Sequence, residues 1–421
     1  MEACVMRKIF LSFVMFTTPI AAQAAGFALA EQSSSGLGNA FAGASASAED
    51  ASTVFFNPAG MMYIQGTQLV VAINLIKPNV EFADQGSVKA TGFPAKGGSG
   101  SNAGDLAFIP NFYYTRDLTD GVKFGLSVNA PFGLKTEYDK DWIGRFQAIK
   151  SQVNTLNINP AIAFKVNDQL SLGFGVSAMW AQAELTRAVN QVVKPESEVK
   201  IKGDNWGFGF NMGALYQVST DTRFGIAYRS KVEQHLDGQA TFGPALAATN
   251  NTGVNADLTL PENISVSAFS QLNDKWDLMG DVTWTRWSQF KELRVRFNNG
   301  SADAITPENW SNTMRYSIGA SYHYSDTVKL RAGLAYDEEA ISDLYRTARI
   351  PGNDRKWLSL GAGWQVTPSS KLDVAYAHLF INNAKIYDNQ NIPASNFFNG
   401  KLVGEYSGNV NILSMQYTHN F

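Results

Sequence analysis

The chain has 421 residues, long for one ordinary globular domain and a normal size for one large barrel. Its 34 Lys and Arg nearly balance 37 Asp and Glu, which argues against the basic surface that a nucleic-acid partner requires. Aromatics reach 12% beside 36 glycines, and no stretch beyond the amino terminus has the 18 or more unbroken apolar residues of a membrane helix, a combination that suits a barrel facing lipid on alternate residues.

Arg7 and Lys8 precede an apolar run from Ile9 to Ala22, and Ala22-Gln23-Ala24 is a small-residue cleavage site. This is the three-part pattern of a secretory signal peptide over residues 1–24, with Ala25 as the new start. A retained anchor would need a longer run, and Pro19 interrupts this one. Cleavage removes Cys4, the only cysteine, leaving no disulfide, thiol nucleophile or thiolate metal site.

Residues 25–66 have no strand character. They are rich in Ala, Ser and Gly, as in Ser33-Ser34-Ser35-Gly36-Leu37-Gly38, and hold too few large apolar residues for a core of their own. A disordered linker would look similar, but Phe55-Phe56-Asn57-Pro58-Ala59-Gly60-Met61-Met62 is apolar and turn-rich, which suits a compact plug inside something larger.

From about Thr67 onward the period is two. Between 170 and 182, Leu170, Leu172, Phe174, Val176 and Trp180 share one parity, while Ser171, Gly173, Gly175 and Ser177 share the other. Residues 122–130, 316–324 and 357–366 repeat the pattern. A soluble sandwich also alternates. Here the minor parity is mostly Gly, Ser, Asn and Gln and elsewhere carries charge, as at Arg229, Asp281, Arg331 and Asp373. That composition predicts a polar lumen behind a lipid-facing wall.

Tight turns fall at 118–120, 167–168, 219–221, 273–274, 325–326 and 368–370, separated by long polar stretches near 84–105, 133–149, 188–203, 243–255, 298–311, 340–353 and 387–402. Six short and seven long connections join about fourteen strands, with short turns on the periplasmic side and long loops outside. Residues 67–421 are therefore read as an all-β, antiparallel transmembrane barrel plugged by residues 25–66. The apolar last strand ends in Phe421, the kind of terminus that barrel-assembly machinery reads, and the expected place is the bacterial outer membrane among its lipid and lipopolysaccharide.

At this point the residues resemble the FadL family of outer-membrane long-chain fatty-acid transporters. The likeness runs from the cleavage site to the last residue. It rests on Ala25-Gly26-Phe27, Ser33-Ser34-Ser35-Gly36-Leu37-Gly38, Asn57-Pro58-Ala59, Asn205-Trp206-Gly207-Phe208-Gly209, Tyr228-Arg229-Ser230, Leu258-Thr259-Leu260-Pro261-Glu262 and Trp287-Ser288-Gln289-Phe290, in that order. The resemblance implies a fourteen-stranded barrel, a lumen blocked by a hatch, and uptake of a fatty acid that is captured near the outer face, moves to a higher-affinity interior site and leaves sideways where the third strand kinks inward. Some relatives of this family carry aromatic hydrocarbons instead.

On this reading Asn57, Pro58 and Ala59 form the hatch motif and sit against the gap, where Asn57 can bond wall groups left unpaired. The gap itself falls at Pro131, Phe132 and Gly133: Pro131 has no N–H to give a neighbour and Gly133 adds backbone freedom. A plainer reading of Pro131 is that it marks where the strand enters its outer loop. Arg187 shares the lumen parity of Ser171 and Ser177, and it falls where the resemblance implies an arginine beside the bound carboxylate. A structural ion pair is its alternative. Phe55, Phe56, Met61 and Met62 are candidates for an apolar substrate pocket, although such clusters often only pack. The second cation that the resemblance implies, a lysine before the tenth strand, has no match in Ile305-Thr306-Pro307-Glu308-Asn309-Trp310.

Rival readings are an outer-membrane lipase and a general porin. The four histidines, His235, His323, His378 and His419, lie in no serine motif, and Gly-x-Ser-x-Gly is absent. A porin needs an open channel, which the amino-terminal segment would block. The expectation is a monomeric transporter without enzymatic activity or cofactor.

Overall fold

The computed structural model describes residues 26–89, 94–190, 196–244, 246, 250–388 and 399–421. The signal peptide expected over 1–24 lies outside the described residues, as do parts of four of the long loops. Twenty strand segments form one sheet, and six of them continue a strand broken by a bend, so the wall has fourteen strands. Every pairing between wall strands is antiparallel, and the last strand, Leu402–Asn420, closes on the first, Gln68–Asp84, from Gln68↔Asn420 to Asp84↔Gly404.

The expected parity holds. Phe174 and Val176 on the fifth strand (Leu170–Val189) and Leu358, Leu360 and Trp364 on the twelfth (Arg355–Thr367) are exposed to the lipid side, while Ser171, Ser177 and Ser359 between them are buried. The lumen charges Arg229, Asp281, Arg331 and Asp373 are all buried. Burial is thus inverted relative to a soluble protein, as a lipid solvent requires. The short connections lie at one end, such as the two residues between the second strand (Ala107–Thr119) and the third. Strands as long as Ser197–Gln217, the sixth, exceed the roughly 9–11 residues of a crossing, so the wall projects beyond the membrane.

Residues 26–66 fill the lumen. Two short helices, α1 (Ser34–Gly38) and α2 (Thr53–Phe56), and a 3₁₀ turn (Pro58–Tyr63) are joined by tight turns. Ser33 caps α1 by accepting from the Gly36 amide, and the Asn57 side chain caps the 3₁₀ turn by accepting from Ala59. Too small for a core of its own, the segment buries Leu29, Leu37 and Phe41 against wall residues such as Ile76 and Trp357 and also hydrogen-bonds to the wall. Asn39 donates to the carbonyls of Ala320 (2.8 Å) and Ala332 (3.3 Å), the Ser45 amide to Ser267 (3.0 Å), and the Ser34 amide to Gln416 (3.0 Å). Glu49 adds ion pairs to Arg331 (2.5 Å) and Lys371 (2.7 Å), two lumen side chains that also share Asp373 at 2.9 and 3.3 Å. Lumen-facing glycines give the hatch backbone room to approach: a side chain at Gly173 would strike Pro58 and Ala59, and one at Gly225 would strike the Ser45 carbonyl.

The third strand is broken. Val122–Asn129 and Gly133–Glu137 both pair with the fourth strand (Lys150–Lys165), but the register passes from Asn129↔Asn157 to Gly133↔Asn154, so the third strand carries one extra residue. On its other side, pairing with the second strand runs only from Thr119↔Val122 to Phe112↔Val128. The bulged segment bonds to the amino-terminal residues instead: the Leu29 amide donates to the Pro131 carbonyl (2.8 Å) and the Gly133 amide to the Phe27 carbonyl (2.9 Å). Residues 27–29 thus cover an edge that would otherwise leave polar backbone groups unpaired in a membrane protein.

Candidate functional site

Of the cavities among the described residues, two inside the barrel could hold a hydrophobic molecule. The inner one, about 1030 Å³ of atom-free space with its open mouth included, sits beside the bulge. Hatch residues Leu29, Phe41, Phe55 and Phe56 and bulge residues Pro131 and Phe132 line it. Trp287 adds an aromatic wall and packs edge-on against Phe27, with ring centroids 4.9 Å apart, in a cluster that includes Phe290 and Trp310. The polar side is Arg229, Asp281, Arg315 and Asp337. Asp281 accepts from the hydroxyls of Ser265 (2.6 Å), Ser267 (2.5 Å) and Thr283 (2.7 Å). Arg229 donates Nη2 to the Phe55 carbonyl (2.6 Å) and lies 4.1 Å from the centre of the Phe55 ring.

The outer cavity, about 790 Å³ on the same measure, lies under the extracellular loops. Its apolar floor includes Leu185, Val199, Ile201, Leu293, Val295 and Ile305. Arg187, near the outer end of the fifth strand, reaches Asn399 at 3.0 Å. Arg349 enters from the loop after the eleventh strand (Val328–Asp337) and donates to Ser151 (2.9 Å) and the Gln147 carbonyl (3.0 Å). Burial, together with the Arg187 charge, pulls the Arg349 guanidinium down to about 10, so it is still charged at neutral pH. Asp388 lines the same cavity.

The structure therefore brings Phe55 and Phe56 together with Pro131 and Phe132 and separates all of them from Arg187. Gly133 begins the outer part of the third strand. Met61 and Met62 line neither cavity: Met61 is buried against Val54, Ala161 and Ala163, with Met62 beside them. The hatch motif is placed differently from the expectation that it faces the gap. Asn57 donates to the Ala214 carbonyl (3.0 Å) on the sixth strand and to the Ser45 carbonyl (2.7 Å), while Pro58 and Ala59 press on Gly173. Through Gly213↔Gly173, Gly173↔Ala163 and Ala163↔Lys123, that level corresponds to the start of the third strand and not to its bulge. The glycines at 173 and 213 make the hollow that draws the motif there.

Arg349 and the aromatic cluster were missed from sequence. A loop arginine has no parity to betray it, and Phe27, Trp287 and Trp310 meet only through the fold. Arg229 was visible as a minor-parity charge, without a sign that it faces a cavity. Among the described residues no group of three or more His, Cys, Asp or Glu could hold a metal.

The model of the family described as outer membrane protein transport protein (OMPP1/FadL/TodX) matches residues 15–421. The chain is 35% identical to outer membrane protein P1 of Haemophilus influenzae, over 88% of this chain and 89% of that one. It is 28% identical to a long-chain fatty acid transport protein of Escherichia coli O6:H1, over 89% of this chain and 91% of that one. The crystal structure of a Pseudomonas aeruginosa FadL homologue superposes with a TM-score of 0.87 at 26% identity, covering 94% of this chain and all of the other. A hatch-filled barrel of fourteen strands, matched along nearly its whole length, makes this chain a member of the OMPP1/FadL/TodX family of outer-membrane transport proteins.

Proposed function

We propose that this protein takes long-chain fatty acids inward across the outer membrane, capturing them in the outer cavity and releasing them sideways past the bulge at Pro131, Phe132 and Gly133. The observation that carries this reading is the outer cavity itself, where Arg187 and Arg349 stand over an apolar floor. The Arg187 charge lowers the Arg349 guanidinium, so an anion between the two relieves it, and guanidinium geometry suits a carboxylate. The apolar floor suits the alkyl chain, worth roughly 0.8 kcal/mol per CH₂ buried. The cation expected before the tenth strand has its substitute in Arg349. Support for the sideways exit is the short pairing between the second and third strands, together with the inner cavity that ends on the bulge.

The test is titration of the purified barrel with oleate and with toluene, wild type beside Arg187→Ala. Oleate binds the wild type, and the substitution weakens it by about 1.5–3 kcal/mol, the size of a charge-assisted hydrogen bond. Toluene binding without oleate binding would make the cargo an uncharged hydrocarbon. Oleate binding that ignores Arg187→Ala would remove the carboxylate site from the outer cavity.

A further inference from the structure

We infer that Asn399 holds the place of the cargo's carboxylate at Arg187 and competes with it, so that this one side chain sets how tightly the outer cavity grips a head group. This rests on the fatty-acid reading above and names the residue that tunes it. Among the described residues the Arg187 side chain makes one hydrogen bond, from Nη1 to Asn399 Oδ1 at 3.0 Å. An amide oxygen is the neutral counterpart of a carboxylate oxygen: it accepts in the same way and carries no net charge. It also offers a single acceptor atom, where a carboxylate offers two to the guanidinium fork. Asn399 is therefore a partial substitute, and a hydrogen bond charged on both sides is roughly twice as strong as a neutral one.

The substitute is fixed where it competes. Gln147 Nε2 donates to the Asn399 carbonyl (3.2 Å), and Arg349 Nη2 donates to the Gln147 carbonyl (3.0 Å). The bonds from Arg187 to Asn399, Gln147 and Arg349 thus join the two cations that a carboxylate would bridge. Asn399 and Gln147 line the outer cavity and also a smaller groove, about 260 Å³, whose other residues include the exposed Lys89 and Lys96. Arg187 lines only the cavity, so a head group entering from the groove meets Asn399 first.

Competition of this kind lowers affinity in a simple way. Cargo binds the fraction of molecules in which Arg187 is released, and its apparent affinity falls by that fraction. A rival tethered in the same chain acts at high effective concentration, so even a weak bond counts. The use is release. Asn399 retakes Arg187 as the carboxylate leaves, and the capture site does not become a trap.

The experiment is calorimetric titration of the full-length purified protein with oleate, and with oleyl alcohol as the uncharged comparison. Asn399→Ala is expected to tighten oleate by about fivefold, the worth of one hydrogen bond, and Asn399→Asp to weaken it by about tenfold or more. Oleyl alcohol binds wild type and both variants alike. In an Arg187→Ala background, Asn399→Ala changes nothing further. Oleate that binds Asn399→Ala no more tightly than wild type overturns the inference, and if Arg187→Ala still weakens it the outer site stands. A gain shared by oleyl alcohol, or one that persists without Arg187, also overturns it, because Asn399 then only fills space. Should Asn399→Ala fail to assemble, the nearly isosteric Asn399→Asp decides alone: weakened oleate with unchanged oleyl alcohol supports the inference, and unchanged oleate overturns it. No oleate bound by wild type or by Asn399→Ala ends the fatty-acid reading and this inference with it.

Discussion

Gly225→Val drives the hatch from its seat and turns a closed barrel into a conducting one. In a planar bilayer, single barrels carrying it are expected to show a persistent ionic conductance several times that of the wild type. The Cβ of any side chain at 225 falls on the Ser45 carbonyl, and that oxygen accepts from Asn57 (2.7 Å). The obstacle is backbone on the hatch side and strand on the wall side, so no rotamer relieves it. Overpacking of this kind commonly costs about 1–3 kcal/mol where neighbours can yield. Here the yielding part is the hatch, held by scattered hydrogen bonds, ion pairs and apolar contacts, and the wall, held by continuous ladders, stays. Valine also suits a strand, so the barrel itself should assemble. The lipid-facing neighbour Ile226→Val serves as the control. Conductance equal to wild type would mean that the hatch shifts slightly and reseats, and the seat would lose the importance given to it.

Glu49→Gln has the second large effect. Glu49 lies between Arg331 and Lys371 at 2.5 and 2.7 Å, with Lys329 at 3.8 Å. The Arg331 side chain is 1% exposed. Removing the hatch carboxylate leaves Arg331 and Lys371 to share Asp373, and breaking one partner out of a buried charge cluster costs roughly 3–5 kcal/mol. The loss falls on hatch docking, so the readout is local. Amide hydrogen exchange over residues 33–52 should accelerate by at least a hundredfold, while the wall strands keep their protection. Unchanged exchange in the hatch would show that its backbone bonds to the wall hold it without the ion pairs.

The wall was legible because a lipid solvent leaves a plain mark: one parity of each strand is apolar and the other is not, as Phe174 and Val176 against Ser171 and Ser177 show. Turn chemistry at positions such as 167–168 and 273–274 then fixed the number of strands. The breaks were less visible. Pro131 was noticed, yet Pro110 and Pro160 sit inside paired strands, so proline alone did not locate the bulge. What does locate it is the register, which a sequence does not state. The hatch motif was recognised and misplaced for a similar reason. Asn57 was expected where backbone groups lack partners, whereas the glycines at 173 and 213 decide its seat. Of the residues lining the outer and inner cavities, Arg187 was within reach of parity reasoning. Arg349, Arg229 and the cluster around Phe27 depend on which distant segments meet.

The hatch also sets an order of events in time. Ser34 bonds Gln416 and Asp50 bonds the same side chain, partners separated by 382 and 366 positions, and the first strand pairs with the last. The segment made first therefore cannot complete its docking until the segment made last is in place. Contacts of such long range are slow to form, since the loop must close before they reward it. In pulse-labelled refolding, protection of residues 33–52 should trail protection of the strand pairs between 150 and 217, and hatch protection that appears first would reverse that sequence. On that expectation the segment synthesised early is among the last to be locked in place.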